Sequence, residues 1–169
     1  MKHIIQIVYT LSILLTTHTN IQAAEKNYTL PLDLAVKAAT EAVRFCSASG
    51  YNITATVVDM SGQVKVQLKG DHSTIHTRDT AYRKAYTVVT LGPVFKLDTS
   101  TQVASLMGEN PNRAAFLTVP HITPLPGAVA IKANNKIVAA IGVGGAPGGV
   151  KDEACAKAGM LKIIEQLPR

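Results

Sequence analysis

The stretch GAVAIKANNKIVAAIGV, Gly127 to Val143, decides the fold class. Two apolar runs, 127–133 and 136–143, flank Asn134-Asn135. Both asparagines tolerate the positive φ that a tight hairpin turn requires. A second pair lies upstream. Residues 51–59 are rich in β-branched side chains, Ser61-Gly62 makes a turn, and residues 63–69 alternate. Val64, Val66 and Leu68 fall on one face; Lys65, Gln67 and Lys69 fall on the other, which marks a strand with one wet side. Hairpins imply antiparallel pairing, not the crossovers of a parallel sheet.

Helical patterns surround the hairpins. In 31–49, Ala35, Ala39, Ala42 and Cys46 form a narrow stripe of small residues, and Gly50 is a natural stop. A second helix is expected after the polar loop Gly70–Thr77. Its buried positions are Ala81, Ala85 and Val88 or Val89, with Gly92-Pro93 ending it. Residues 94–119 carry a weaker pattern, with a short helix over Ser100–Met107 and a turn at Asn110-Pro111-Asn112. A last helix runs over about 150–166. The order predicts one α+β domain, an antiparallel sheet with helices packed on it.

The chain has 169 residues, 47% of them hydrophobic and 17% charged, with a formal charge of +6. That is enough apolar mass for a single folded domain, and it excludes a disordered chain. Two cysteines exclude a disulfide-framework miniprotein and a four-cysteine zinc site. The basic residues are spread along the chain and no nucleic-acid motif is present, so they read as solvation rather than as a nucleic-acid surface. Residues 1–23 combine Lys2, a short apolar run from Ile4 to Leu15 and small residues at Ala23-Ala24. This is the pattern of a signal peptide, leaving 24–169 as the exported domain, periplasmic or secreted. The run is too short for a stable membrane span.

Several local patterns could carry chemistry. The loop Gly142–Gly149 lies between a strand and a helix, where phosphate cradles occur. It lacks the third glycine of the dinucleotide fingerprint, and Asp152 and Glu153 in the following turn would repel a phosphate, so it reads as a tight turn. Asp71, His72 and His76 could form a metal set, though their loop composition makes a shared helical face doubtful. His76 alone, at a helix start, could serve as a single axial haem ligand, which needs one neutral imidazole nitrogen and an apolar pocket. Arg83, two turns on, could share its face and meet an anionic propionate, with Lys84 beside it. An Asp79–Arg83 pair at i, i+4 is the bland alternative. Cys46 and Cys155, both among alanines, read as buried small hydrophobes; a disulfide joining the two terminal helices is the alternative in an exported protein. No nucleophile elbow or acid–base pair is visible, so no catalytic residue is assigned.

The stretch PGAVAIKANNKIVAAIGVGGAPGGVKDEACAKAG, Pro126 to Gly159, resembles the GlcG/HbpS family of haem-binding-type proteins. Asp152, Glu153, Cys155, Ala156, Ala158 and Gly159 match its last motif. LPLDLAVKAATEAV near the start and RKAYTVVT, Arg83–Thr90, also look like this family. In one subgroup the loop before the second helix resembles GDGAGPHT; Gly70, Asp71, His76 and Thr77 match that spacing. The resemblance implies a profilin-like sheet with a fifth strand, near Val94–Leu97. It also implies a homo-oligomer, commonly an octamer, and haem as cofactor. His76 is then the axial ligand, Thr77 a neighbouring contact, and Arg83 and Lys84 weaker propionate partners. Haem degradation or iron-linked redox sensing follows from the resemblance only. Two other functions remain open: an accessory domain that binds a small organic acid such as glycolate, or a structural oligomer without ligand.

Overall fold

The computed structural model describes residues 28–169. The expected leader lies outside the described residues. Helix α1 spans Leu32–Ala48, strands β1 and β2 span Thr54–Asp59 and Val64–Lys69, and helix α2 spans Thr77–Phe95. Helices α3, Ser100–Glu109, and α4, Arg113–Phe116, follow. Strands β3, Ala128–Ala133, and β4, Lys136–Gly144, precede helix α5, Gly149–Leu161, and a 3-10 turn at Ile164–Gln166. The strands form a four-stranded sheet in the order β2-β1-β4-β3, antiparallel at every pairing. The α+β class and both hairpins are as expected. Asn134 and Asn135 take φ of 49° and 62° at the β3–β4 turn.

Alternation along the strands divides the core in two. Ala55 and Val57 of β1, Val129 and Ile131 of β3, and Ile141 and Val143 of β4 face α1 and α5, with Leu34, Ala38 and Ala42. Val58, Ala128, Ala130 and Ala140 face α2, meeting Ala85, Val88 and Val89. Gly142 explains the close approach of α2. A Cβ there would overlap the Ala81 carbonyl oxygen and sit 2.8 Å from the Ala85 nitrogen.

The fifth strand expected near Val94–Leu97 is not formed. Val94 and Phe95 instead complete the last turn of α2, which runs through Pro93 and stops at Lys96 in the left-handed region, φ 56°. The Leu97 N–H closes this end on the Gly92 carbonyl. Gly92-Pro93 therefore does not end the helix. The missing proline N–H removes one bond, and the buried side chains of the preceding turns hold the helix in place. Beyond it, Thr99 makes a single bridge to Val129, and α3 begins with a capping box between Thr99 and Gln102. The last helix ends earlier than expected, at Leu161.

Cys46 and Cys155 are not free buried residues: they form a disulfide between α1 and α5, with Cα atoms 5.6 Å apart. The alanine stripe of α1 brings the two helices close enough for this.

Candidate functional site

His76 sits at the N-terminus of α2, and three hydroxyls hold it there. Thr77 Oγ1 lies 2.8 Å from Thr54 Oγ1 of β1 and 2.7 Å from Ser73 Oγ. Thr77 also donates to the Thr74 carbonyl at 2.7 Å. Thr54, Ser73 and Thr77 are all buried, so this network pins the loop 70–76 onto the start of β1. Thr77 thus faces the interior and positions its neighbour. The His76 ring is exposed, with Nδ1 3.2 Å from Thr74 Oγ1. In the tautomer where Nδ1 donates to that hydroxyl, Nε2 keeps a free lone pair.

His76 borders a cleft of about 330 Å³. Leu125, Pro126 and Ala146 supply apolar wall, and Thr80, Gly145 and Gly149 complete the rim. The floor is an ion pair. Lys84 Nζ donates to Asp152 Oδ2 at 2.6 Å and to the Val143 carbonyl at 3.0 Å; the two side chains are only 5% and 4% exposed. Asp152 Oδ1 accepts from the Ala146 N–H at 2.9 Å, which fixes the loop that precedes α5. Gly127, φ 132°, leaves room for the pair: a Cβ there would lie 2.8 Å from both Lys84 Nζ and the Asp152 Cβ. Burial raises the Asp152 carboxyl above the ordinary carboxylate range, against the opposing bonds from Lys84 and the loop amides.

Of the residues expected at the site, the structure places His76 and Lys84 on one cleft and Arg83 elsewhere. The Arg83 guanidinium donates to the Ile122 carbonyl at 3.1 Å and lies 3.9 Å from Asp79, so the bland intrahelical contact is present. The Lys84 ammonium is already engaged by Asp152 and the backbone. Neither is turned toward a ligand anion in this arrangement. Asp71 and His72 are exposed, and no metal-binding group of three His, Cys, Asp or Glu side chains occurs among the described residues.

Asp152 and Glu153, the acidic residues expected to repel a phosphate at the start of α5, each hold a neighbouring element. Asp152 holds Lys84, while Glu153 Oε2 caps α3 by accepting from the Thr101 N–H at 3.1 Å and its hydroxyl at 2.7 Å. Spacing could have revealed the buried pair. Lys84 lies in the Ala81, Ala85, Val88 stripe of α2, and Asp152 in the Cys155, Ala156, Gly159 stripe of α5.

One imidazole nitrogen stands beside apolar wall, the adjacent Ile75 is 92% exposed, and the one cation of the cleft is internally paired.

Comparison with known proteins agrees with this architecture. A family model described as "Haem degrading protein HbpS-like" matches residues 30–161. A crystal structure of HbpS is 31% identical with a TM-score of 0.73, covering 83% of this chain and 94% of that one. A double mutant of HbpS from Streptomyces reticuli is 28% identical, with a TM-score of 0.73, covering 95% and 97%. The PduOC:Heme complex shares the fold at 14% identity and a TM-score of 0.71, covering 80% and 96%. No match was found among curated protein sequences. The family match extends over most of the chain, and the protein belongs to the HbpS-like family.

Proposed function

We propose that this protein is an exported haem-binding protein and that His76 is the axial ligand. The observation that carries the reading is the placement of His76: an exposed imidazole, oriented through Nδ1, at the mouth of a partly apolar cleft. Family membership supports haem as the ligand class, as does the haem held by the structural relative PduOC. The Cys46–Cys155 disulfide supports export, because such bonds persist in oxidising compartments.

Bound haem supplies an iron centre and an extended apolar ring. His76 Nε2 would hold the iron, with Thr74 fixing the ring tautomer through Nδ1. Leu125, Pro126 and Ala146 would cover part of the macrocycle and exclude water from its edge. The buried hydroxyls of Thr54, Ser73 and Thr77 hold the loop so that the imidazole is presented without further ordering. The Lys84–Asp152 pair keeps the opposite wall, 145–149, in place. Binding is the reading, and degradation is not assigned.

Haemin titration followed by visible absorption tests this reading, with His76→Ala in parallel. A saturable, shifted Soret band that the variant loses is expected. An equal, unsaturable band in both proteins would overturn the proposal.

A further inference from the structure

A second cavity lies apart from the His76 cleft and shares none of its residues. It is a groove of about 470 Å³ along the flank of α5, at the outer edge of β3, where Thr99 bridges Val129. Val129, Val150, Ala154, Met160, Ile164 and Leu167 provide its apolar surface. Val150, Ala154 and Lys157 follow one another at helical spacing, so they share a face. From Val150 to Met160 this face runs ~15 Å along the helix. The volume lies within the range of small-ligand sites, roughly 300–1,000 Å³.

Four charged residues line the groove, and three of them are satisfied within the fold. Lys132 Nζ is 2.6 Å from the Asp98 carboxylate. Glu153 is held by Thr101 and by Ser100. Lys157 has no anionic partner among the described residues. One uncompensated ammonium therefore stands beside an apolar trough, while neither carboxylate is free to receive a cation.

We propose that this groove binds an amphipathic monocarboxylic acid, its apolar body along α5 and its carboxylate on Lys157. Charge complementarity selects the acid over a neutral or cationic amphiphile. The site is independent of haem binding, since His76 and its cleft contribute nothing to it.

Octanoate is the probe, with octan-1-ol as its uncharged counterpart. Binding is followed by calorimetry and by the methyl NMR signal of Met160. Saturable octanoate binding that shifts the Met160 signal is expected, and His76→Ala should leave it unchanged. Lys157→Glu should weaken octanoate by about threefold to tenfold, the range of an exposed ion pair reversed in sign. Ala154→Trp should block the groove from an exposed position. Equal affinity for octanoate and octan-1-ol, or no effect of Lys157→Glu, would overturn the carboxylate assignment. Undiminished octanoate binding in a folded Ala154→Trp protein would overturn the location. If octanoate does not bind and Ala154→Trp instead abolishes self-association, the groove is an interface between copies and the proposal fails.

Discussion

The two faces of the sheet solve the same packing problem with different chemistry. On the α1/α5 face the core is apolar except where Asp152 leaves α5 for Lys84, built on alanines and closed by a disulfide. On the α2 face the apolar cluster is smaller, and buried polar groups take over towards the cleft: Thr77, Lys84 and Thr87 all lie in the packed stripe of α2. The first face gains stability from area removed from water, which is non-directional, and from a crosslink that restricts the unfolded chain. The second depends on hydrogen bonds whose partners must be present together, because an unmatched buried polar group costs far more than a matched one contributes. The candidate ligand site lies at the end of the polar face, where directional bonds hold the loops that shape it.

Breaking the polar face at its ion pair should have the largest effect. Asp152→Ala leaves the Lys84 ammonium buried without a counter-ion, and a loss of about 3–5 kcal/mol is expected in denaturant unfolding. The double variant Lys84→Met with Asp152→Leu should recover most of that loss, since replacing both partners removes the unmatched charge. A double variant as unstable as the single one would show that the pair matters for shape and not for charge.

Breaking the apolar face at its crosslink comes next. The disulfide joins residues 109 apart. Converting both cysteines to alanine should cost about 2–4 kcal/mol, largely through the freer unfolded chain. The His76 cleft should keep its ligand affinity in that variant, because none of its residues lies on the crosslink. A matching loss of haem affinity would show that the two faces are coupled.

A smaller effect is expected at the hydroxyl network. Thr77→Val keeps the volume and removes the hydroxyl shared by Thr54, Ser73 and the Thr74 carbonyl. Unfolding should be easier by about 1–3 kcal/mol. Haem affinity should fall as well, because the loop that carries His76 loses its anchor. Unchanged affinity would mean that the helix start alone places the imidazole.

The smallest effect lies in acid. Burial holds the Asp152 carboxyl above its ordinary 3.8. The folded chain therefore binds that proton more tightly than the unfolded chain does. This group's contribution to stability is present at low pH and declines as pH rises from 3.8 towards the raised value. Asp152→Asn should remove that part of the pH dependence. Parallel stability curves for the two proteins in this interval would show that Lys84 cancels the effect of burial.

What the sequence revealed follows from range. The hairpins and the helices over 32–48 and 149–161 were legible because alternation and helical spacing are local signals. The turn at Asn134-Asn135 was legible for the same reason. The disulfide was only one of two readings of Cys46 and Cys155, because proximity in space is not written in spacing. Lys84 and Asp152 carried a local sign of burial in their stripes, yet each needed the other to make that burial tolerable, and 68 positions separate them. The chain after α2 misled because the resemblance implied a strand where Val94 and Phe95 extend a helix past a proline. His76 and Lys84 line one cleft, whereas Arg83, the residue expected to share a face with His76, turns to Ile122, which no periodicity could show.

The disulfide has a topological consequence. Cys46 and Cys155 close a covalent ring that contains the whole sheet, α2 and the His76 cleft. A protease that cuts the exposed segment around Arg113 opens this ring without separating the fragments. The nicked protein would migrate as one species on a denaturing gel until a reductant divides it in two, and in an oxidising compartment a single cut would leave the chain in one covalent piece.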